Sequence, residues 1–276
     1  MNIDIKDSEY KAVHDLMYRY AGVHLTEKKK PLIVARLRKR LVEFSLNTLG
    51  DYIKYLQTHL KEELPNFISA LTTNETYFFR HTKQFNLFFE EILPELCSRK
   101  KRAGQKLIKI WSAASSTGEE AYSIAIVCQE FMAKHPGWQF QIYASDIDYQ
   151  VLQKAREGIY GEKSVAKVTE SLMRKYFTAR HAGIIKRFEL NHQIKQCVTF
   201  ENHNLMNPPK RADYDVIFLR NVLYYFDKST QQTVASLLES ALLPGGYFFV
   251  SLSENLHDRP NQLEYLRNGI YRKADR

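Results

Sequence analysis

The sequence is poor in cysteine, has no long apolar run, and lacks the short motifs of phosphate-binding and nucleophilic enzymes. Its three cysteines, Cys97, Cys128 and Cys197, stand 31 and 69 residues apart. That spacing makes neither a CxxC metal knuckle nor a disulfide framework, so a reducing cytosol is expected and a metal site is not. No apolar stretch approaches the ~18 residues that a membrane helix needs. The opening MNIDIKDSEY is polar and acidic, with no basic region ahead of an apolar core, so no secretory leader is expected. G-x-G-x-x-G and a Walker lysine are absent, as are HExxH, a Ser–His–Asp set and paired catalytic acids. The histidines are scattered, which favours structural or exposed roles for them.

What remains is an ordinary globular composition, 44% hydrophobic and 26% charged, over 276 residues. At ~150 residues per domain this length suggests about two domains. Forty basic residues against thirty-one acidic ones leave a net charge of +9. Such a balance favours an acidic partner, whether nucleic acid, an anionic membrane surface or an acidic protein. Residues 28–40, KKKPLIVARLRKR, hold seven positive charges and no acid, and residues 99–109 add six more.

Residues 1–70 read as a helical domain. Tyr10, Val13, Leu16, Met17 and Tyr20 recur at helical spacing, and Gly22 marks the end of that helix. A second helix follows Pro31, with Ile33, Leu37, Leu41 and Phe44 as its buried stripe. Arg36 and Arg40 fall on the adjoining face with Lys39 beside them. Residues 71–100 read as a connecting segment. From about 101 to 276, short β-rich runs alternate with helical ones (KLIKIWSA, EEAYSIAIVCQEFMAKH, WQFQIYASD, YQVLQKAREG, and later DYDVIFLRN and GGYFFVSLS). That alternation predicts an α/β domain with a parallel sheet and crossover helices. Residues 184–200 look like inserted antiparallel strands, and YLRNGIYRK looks like an edge strand.

Two segments carry the site. KLIKIWSA runs into a turn of small residues, Ala113 to Gly118, before a helix that begins near Glu119. Ligands of open parallel sheets lie across the carboxyl ends of the strands, where such a turn permits close approach. Two carboxylates at that helix start would repel a pyrophosphate, so a cationic ligand fits better. Asp146, at the end of the next strand, stands where a ribose diol is gripped. An adenosine bearing a positive charge satisfies both, and S-adenosylmethionine is that molecule. Other features are weaker. Asn207-Pro208-Pro209 lacks a following aromatic and precedes its strand, so it reads as a loop and not as an amide- or adenine-methylating motif. Phe78-Phe79 and Phe88-Phe89 have the spacing of core residues.

Nearly the whole chain resembles the chemotaxis receptor methyltransferases, the CheR family. The resemblance rests on TTNETYFFR (72–80), WSAASSTGEE (111–120), YASDID (143–148), FLRNVLYYFD (218–227), LPGG (243–246) and SEN (253–255), in order. It implies an all-α amino-terminal domain before a Rossmann-like methyltransferase domain carrying a small β-subdomain, here about 180–200. It implies methyl transfer from S-adenosyl-L-methionine to glutamates of chemoreceptor cytoplasmic helices, with S-adenosyl-L-homocysteine as by-product. By position, Asn74, Thr76, Arg80, Glu120, Asp146, Asn204, Leu205, Arg220 and Asn221 match cofactor contacts, and Tyr225 matches the tyrosine near the transferred methyl. Arg80 and Tyr225 are the expected catalytic residues, acting by positioning and electrostatics. Arg36, Lys39 and Arg40 are the expected docking stripe for an acidic receptor helix. Ser115-Ser116 and Leu219 depart from the family pattern without removing a polar group. The resemblance further implies a cytoplasmic monomer recruited to receptor arrays, with no nucleic acid bound and no membrane insertion. A glutamate with a reference pKa of about 4.3 is already ionised at neutral pH and needs no general base. The rival readings are a nucleic-acid methyltransferase, favoured by the charge, and a non-catalytic cofactor-binding signalling module. Whether TARHAGII (178–185) belongs to a tail-binding surface stays open.

Overall fold

A computed structural model describes residues 5–182, 185–256 and 262–275. Four helices come first: α1 (Asp7–Ala21), α2 (Lys30–Glu43), α3 (Leu49–Thr58) and α4 (Leu60–Leu71). Pro31 lies in the first turn of α2, and Gly22 ends α1 in the left-handed region at φ 70°. A Cβ on Gly22 would stand 2.8 Å from Met206 Sδ, so the glycine also permits close contact with the second half of the chain. Leu16, Met17, Ile33, Leu37, Tyr52 and Phe67 fill the core of this bundle.

The chain continues through α5 (Thr82–Leu87), a π-helical turn (Phe88–Ile92) and α6 (Leu93–Arg102). Next come β1 (Leu107–Ala113), α7 (Glu119–Lys134), β2 (Gln139–Asp146) and α8 (Tyr149–Glu157). A small unit follows, with β3 (Ile159–Gly161), α9 (Glu162–Val165), α10 (Glu170–Tyr176), β4 (Phe177–Ala182) and β5 (Ile185–Leu190). The last elements are α11 (His192–Lys195), β6 (Val198–Asn202), β7 (Tyr214–Leu219), α12 (Lys228–Ala241), β8 (Leu242–Phe249), β9 (Leu263–Arg267) and β10 (Ile270–Lys273).

Seven strands form one sheet in the order β6-β2-β1-β7-β8-β10-β9, the first five parallel, β10 antiparallel to β8 and β9 antiparallel to β10. From β1 the chain winds outward to β2 and β6, then returns to β7 and β8 on the other side, so the order reverses between β1 and β7. Ligands of such sheets bind at that reversal. Helices α7 and α12 cover opposite faces, each closing an apolar core.

Three details differ from the sequence reading. The segment 71–100, read as a connector, is largely helical, and Phe78, Phe88, Leu93 and Leu96 pack into the sheet's own core. Within 184–200, only β5 is antiparallel, pairing with β4 and with the distant β3. Val198–Asn202 instead runs parallel to β2 in the main sheet. Residues 183 and 184 lie outside the described residues. YLRNGIYRK is not one edge strand but a hairpin: Asn268 (φ 53°) and Gly269 (φ 72°) form a two-residue turn between β9 and β10. Both angles are positive, as a primed turn requires.

Candidate active site

A cavity of about 190 Å³ opens at the carboxyl ends of β1, β2 and β7, roofed by α1, α2 and the stretch between them. Its floor is set by the turn after β1. Ala114 (φ 66°) and Ser116 (φ 49°) are both left-handed there, a strain that small side chains keep modest. Gly118 (φ 94°) then starts α7, and a Cβ on it would meet the Ala155 Cβ at 2.9 Å. The backbone N–H of Ser116 donates to Asp146 Oδ2 at 2.8 Å, and that of Asp148 to Asp146 Oδ1 at 3.0 Å. Each oxygen thereby keeps a lone pair for a ligand. Burial raises the Asp146 carboxyl to a pKa of about 6 against these hydrogen bonds.

Glu120, in the first turn of α7, accepts from Ser112 Oγ at 2.7 Å and pairs with Arg220 Nη1 at 3.1 Å. Burial pushes its carboxyl up, while Arg220 and Ser112 hold it down. Arg220, at the end of β7, also donates through Nη2 to the Arg80 carbonyl. Arg80 itself reaches the Glu75 carbonyl at 3.0 Å, and its guanidinium stands 5.7 Å from the centre of the Tyr77 ring.

The loop after β7 forms the mouth. Asn221 is left-handed at φ 61°. The Glu254 carboxylate accepts the N–H groups of Asn221 (2.8 Å), Leu223 (2.8 Å) and Ser251 (3.0 Å), which pins this loop to the end of β8. The turn that follows carries Tyr225, whose hydroxyl lies 3.3 Å from the Thr73 carbonyl and whose ring lies under Lys29 at 5.5 Å.

Asn74, Thr76, Arg80, Glu120, Asp146, Asn204, Leu205, Arg220, Asn221 and Tyr225, singled out by sequence, all line this cavity. Two of them have their amides engaged elsewhere. Asn74 Nδ2 donates to Asp148 at 3.0 Å, and Asn204 Nδ2 to the Tyr20 carbonyl at 2.7 Å. The three residues of the expected docking stripe are placed differently from one another. Arg36 lines the cavity too, but it clamps the carbonyls of Leu71 (2.7 Å) and Thr72 (2.9 Å) and the Thr73 hydroxyl. Arg40 turns inward to the buried Glu63, which also accepts from Tyr52 at 2.6 Å. Of the three, only Lys39 is exposed. The physical reason is Glu63, a buried carboxylate on α4 that needs a cation. Sequence reasoning gave no individual role to Val23, Lys29, His203 or Glu254. Lys29 shared only the docking reading of the basic run 28–40, and for Val23 and His203 no local signal exists, because the fold alone brings them to the cavity. Among the described residues no group of three or more His, Cys, Asp or Glu could hold a metal ion.

S-adenosylmethionine suits what is present. Three buried atoms without a protein partner, Ser115 Oγ, His203 Nε2 and Arg220 Nε, belong to residues that line this cavity. Burial lowers the pKa of His203, and the ring is neutral. Asp146 and Glu120 give the cavity the anionic groups that a sulfonium and an amine prefer, and Ile147 and Leu205 give apolar edges suited to a base.

Residues 74–271 match the family described as CheR methyltransferase, SAM binding domain, and residues 8–72 match its all-alpha domain. The chain is 34% identical to a chemotaxis protein methyltransferase of Borreliella burgdorferi, over 99% of this chain and 96% of that one. It is 33% identical to that of Salmonella typhimurium, over 97% and 90% respectively. It is 36% identical to chemotaxis protein methyltransferase 2 of Vibrio cholerae, over 92% and 88%.

Proposed function

We propose, from the premise that this chain belongs to the CheR methyltransferase family, that it methylates glutamate carboxylates of chemoreceptors to give methyl esters. S-adenosylmethionine is the cofactor, consistent with the matched domain and with the carboxylate-lined cavity. The observation that carries the choice of substrate is the mouth, where Lys29 and Arg80 sit over tyrosine rings beside the cavity that holds Asp146 and Glu120. Cations at the rim attract a carboxylate, whereas anions within hold a cationic donor.

When bound, S-adenosylmethionine would supply an electrophilic methyl on its sulfonium, a carboxylate oxygen bonding to the methyl carbon as the carbon–sulfur bond breaks, with a neutral ester and S-adenosylhomocysteine as products. Asp146 would hold the ribose hydroxyls, and Glu120, fixed by Arg220 and Ser112, would face the amino group. Asn204 and Leu205 would border the adenine, and Asn74, Thr76 and Asn221 the remaining cofactor edge. Arg80 and Tyr225 orient the incoming carboxylate. No proton moves in this reaction, so no base is needed, and the residues contribute proximity and alignment, worth up to ~7–11 kcal/mol in well-oriented systems. Residues 1–70 face the receptor and roof the cavity, 101–276 hold most of the cofactor, and 71–100 join them, with the loop of residues 72–77 forming part of the cavity wall. The protein acts as a cytoplasmic monomer at membrane receptor arrays, and no helix among the described residues is long and apolar enough to cross a membrane.

Transfer of labelled methyl to a panel of receptor fragments tests this reading. The label should be lost in mild alkali, as an ester is. Alkali-stable label, or label on RNA or DNA with steep salt dependence, would overturn it.

A further inference from the structure

Ten large apolar side chains are exposed among the described residues, and three of them, Leu32, Tyr77 and Tyr224, line the cavity. They come from α2, from the loop after α4 and from the turn after β7, so only the fold brings them together. Tyr224, 55% exposed, lies against Tyr225 with ring centres 4.4 Å apart, and Arg80 stands over Tyr77. The rim of the opening is therefore part cation and part hydrocarbon. Exposed apolar groups are ordinary when scattered, but three that line one ligand cavity point to a contact surface there.

We propose that this rim reads an apolar side chain next to the target glutamate. This specificity rests on the glutamate-methylation reading above. On a helical substrate, residues three or four apart lie ~5–6 Å from one another on one face. A carboxylate drawn in between Lys29 and Arg80 would thus set its neighbour one turn away on Leu32, Tyr77 and Tyr224. A neutral polar neighbour would have to give up water for the hydrocarbon of Leu32 and the two tyrosine rings, and is disfavoured. The cations supply attraction that salt screens, and the apolar rim supplies a component that salt leaves intact.

Two receptor-like helical peptides, differing only in an apolar or a serine residue one turn from a single glutamate, test the proposal. The wild-type protein should favour the apolar peptide by about tenfold in kcat/KM, equivalent to about 1.4 kcal/mol, mainly through KM. That preference should persist at high salt and shrink to less than about threefold in Leu32→Ser and in Tyr224→Ser. Because the readout is a ratio within one enzyme, a general loss of activity in either variant does not disturb it. Equal use of both peptides by the wild type, a preference that high salt abolishes, or one that survives in both variants would overturn the rim's role while leaving glutamate methylation standing. Absence of ester methyl on either peptide and on every receptor fragment would overturn both.

Discussion

Replacing Asp146 by asparagine should leave the ligand-free protein at least as stable as the parent at neutral pH while removing most of its affinity for S-adenosylmethionine. Burial raises this carboxyl from its ordinary value of 3.8 to about 6. Below pH 4 the group is protonated whether the chain is folded or not, and it adds no penalty. As pH rises from about 4 to 6 the unfolded chain loses this proton first, so the folded state loses stability. Above pH 6 the full penalty applies, about 3 kcal/mol at ~1.36 kcal/mol per pH unit. Asparagine removes that charge. Its amide can replace only one of the two oxygens that accept from Ser116 and Asp148, and a lost partner costs ~1–3 kcal/mol. The net expectation at pH 7.5 is a gain between zero and about 2 kcal/mol, or a few degrees in melting temperature at ~2–4 °C per kcal/mol. Melting parent and variant at pH 5 and pH 7.5 isolates the term, because other titrating groups cancel in the difference. S-adenosylmethionine at a hundred times its Kd should add ~2.7 kcal/mol to the parent and much less to the variant. An asparagine variant that is clearly less stable than the parent at pH 7.5, with no change in the gap between the two pH values, would refute the reasoning.

Arg80→Ala should abolish most methyl transfer while leaving circular dichroism and melting near those of the parent, because this guanidinium leaves no buried carboxylate behind; wild-type turnover would remove it from the mechanism. Arg40→Ala should behave the opposite way. It strands Glu63, whose side chain is 3% exposed, and should lower stability by ~3–5 kcal/mol in a denaturant titration without changing cofactor affinity in the folded protein. Glu254→Gln cannot accept at both former oxygens, so the loop bearing Tyr225 should loosen; turnover is expected to fall by about tenfold, ~1.4 kcal/mol, with a smaller change in cofactor Kd by calorimetry.

Local signals in the sequence correspond closely to local structure. Pro31 lies in the first turn of α2, Gly22 closes α1, and the small-residue turn before Glu119 joins β1 to α7. Asp146 is the last residue of β2. Contacts between distant residues were hidden. Arg40 looks like a solvated cation until Glu63, twenty-three residues on, is placed beneath it. The pairing of β3 with β5 joins Tyr160 to Phe188 across two intervening helices, and no periodicity announces it. The Asn268-Gly269 turn is different, because that dipeptide between short β-rich runs is itself a hairpin signal. An apolar period also cannot distinguish helix faces that meet a neighbour from faces that meet a cavity, which is why Leu32 and Val23 stood out only in three dimensions.

The end of α1 and the short stretch that follows it are stitched to the cofactor-holding half at several points. Asn204 donates to the Tyr20 carbonyl, the His24 N–H to the Tyr225 carbonyl at 2.8 Å, and Val23 forms a β-bridge with Phe226. A molecule in the cavity therefore touches both halves, and part of its binding energy acts as adhesion between them. Heat should first part the bundle from the sheet when the cavity is empty, in a broad or two-step melt. With the cavity filled, neither half can leave without releasing the ligand, and the two steps should merge into one sharper transition at higher temperature.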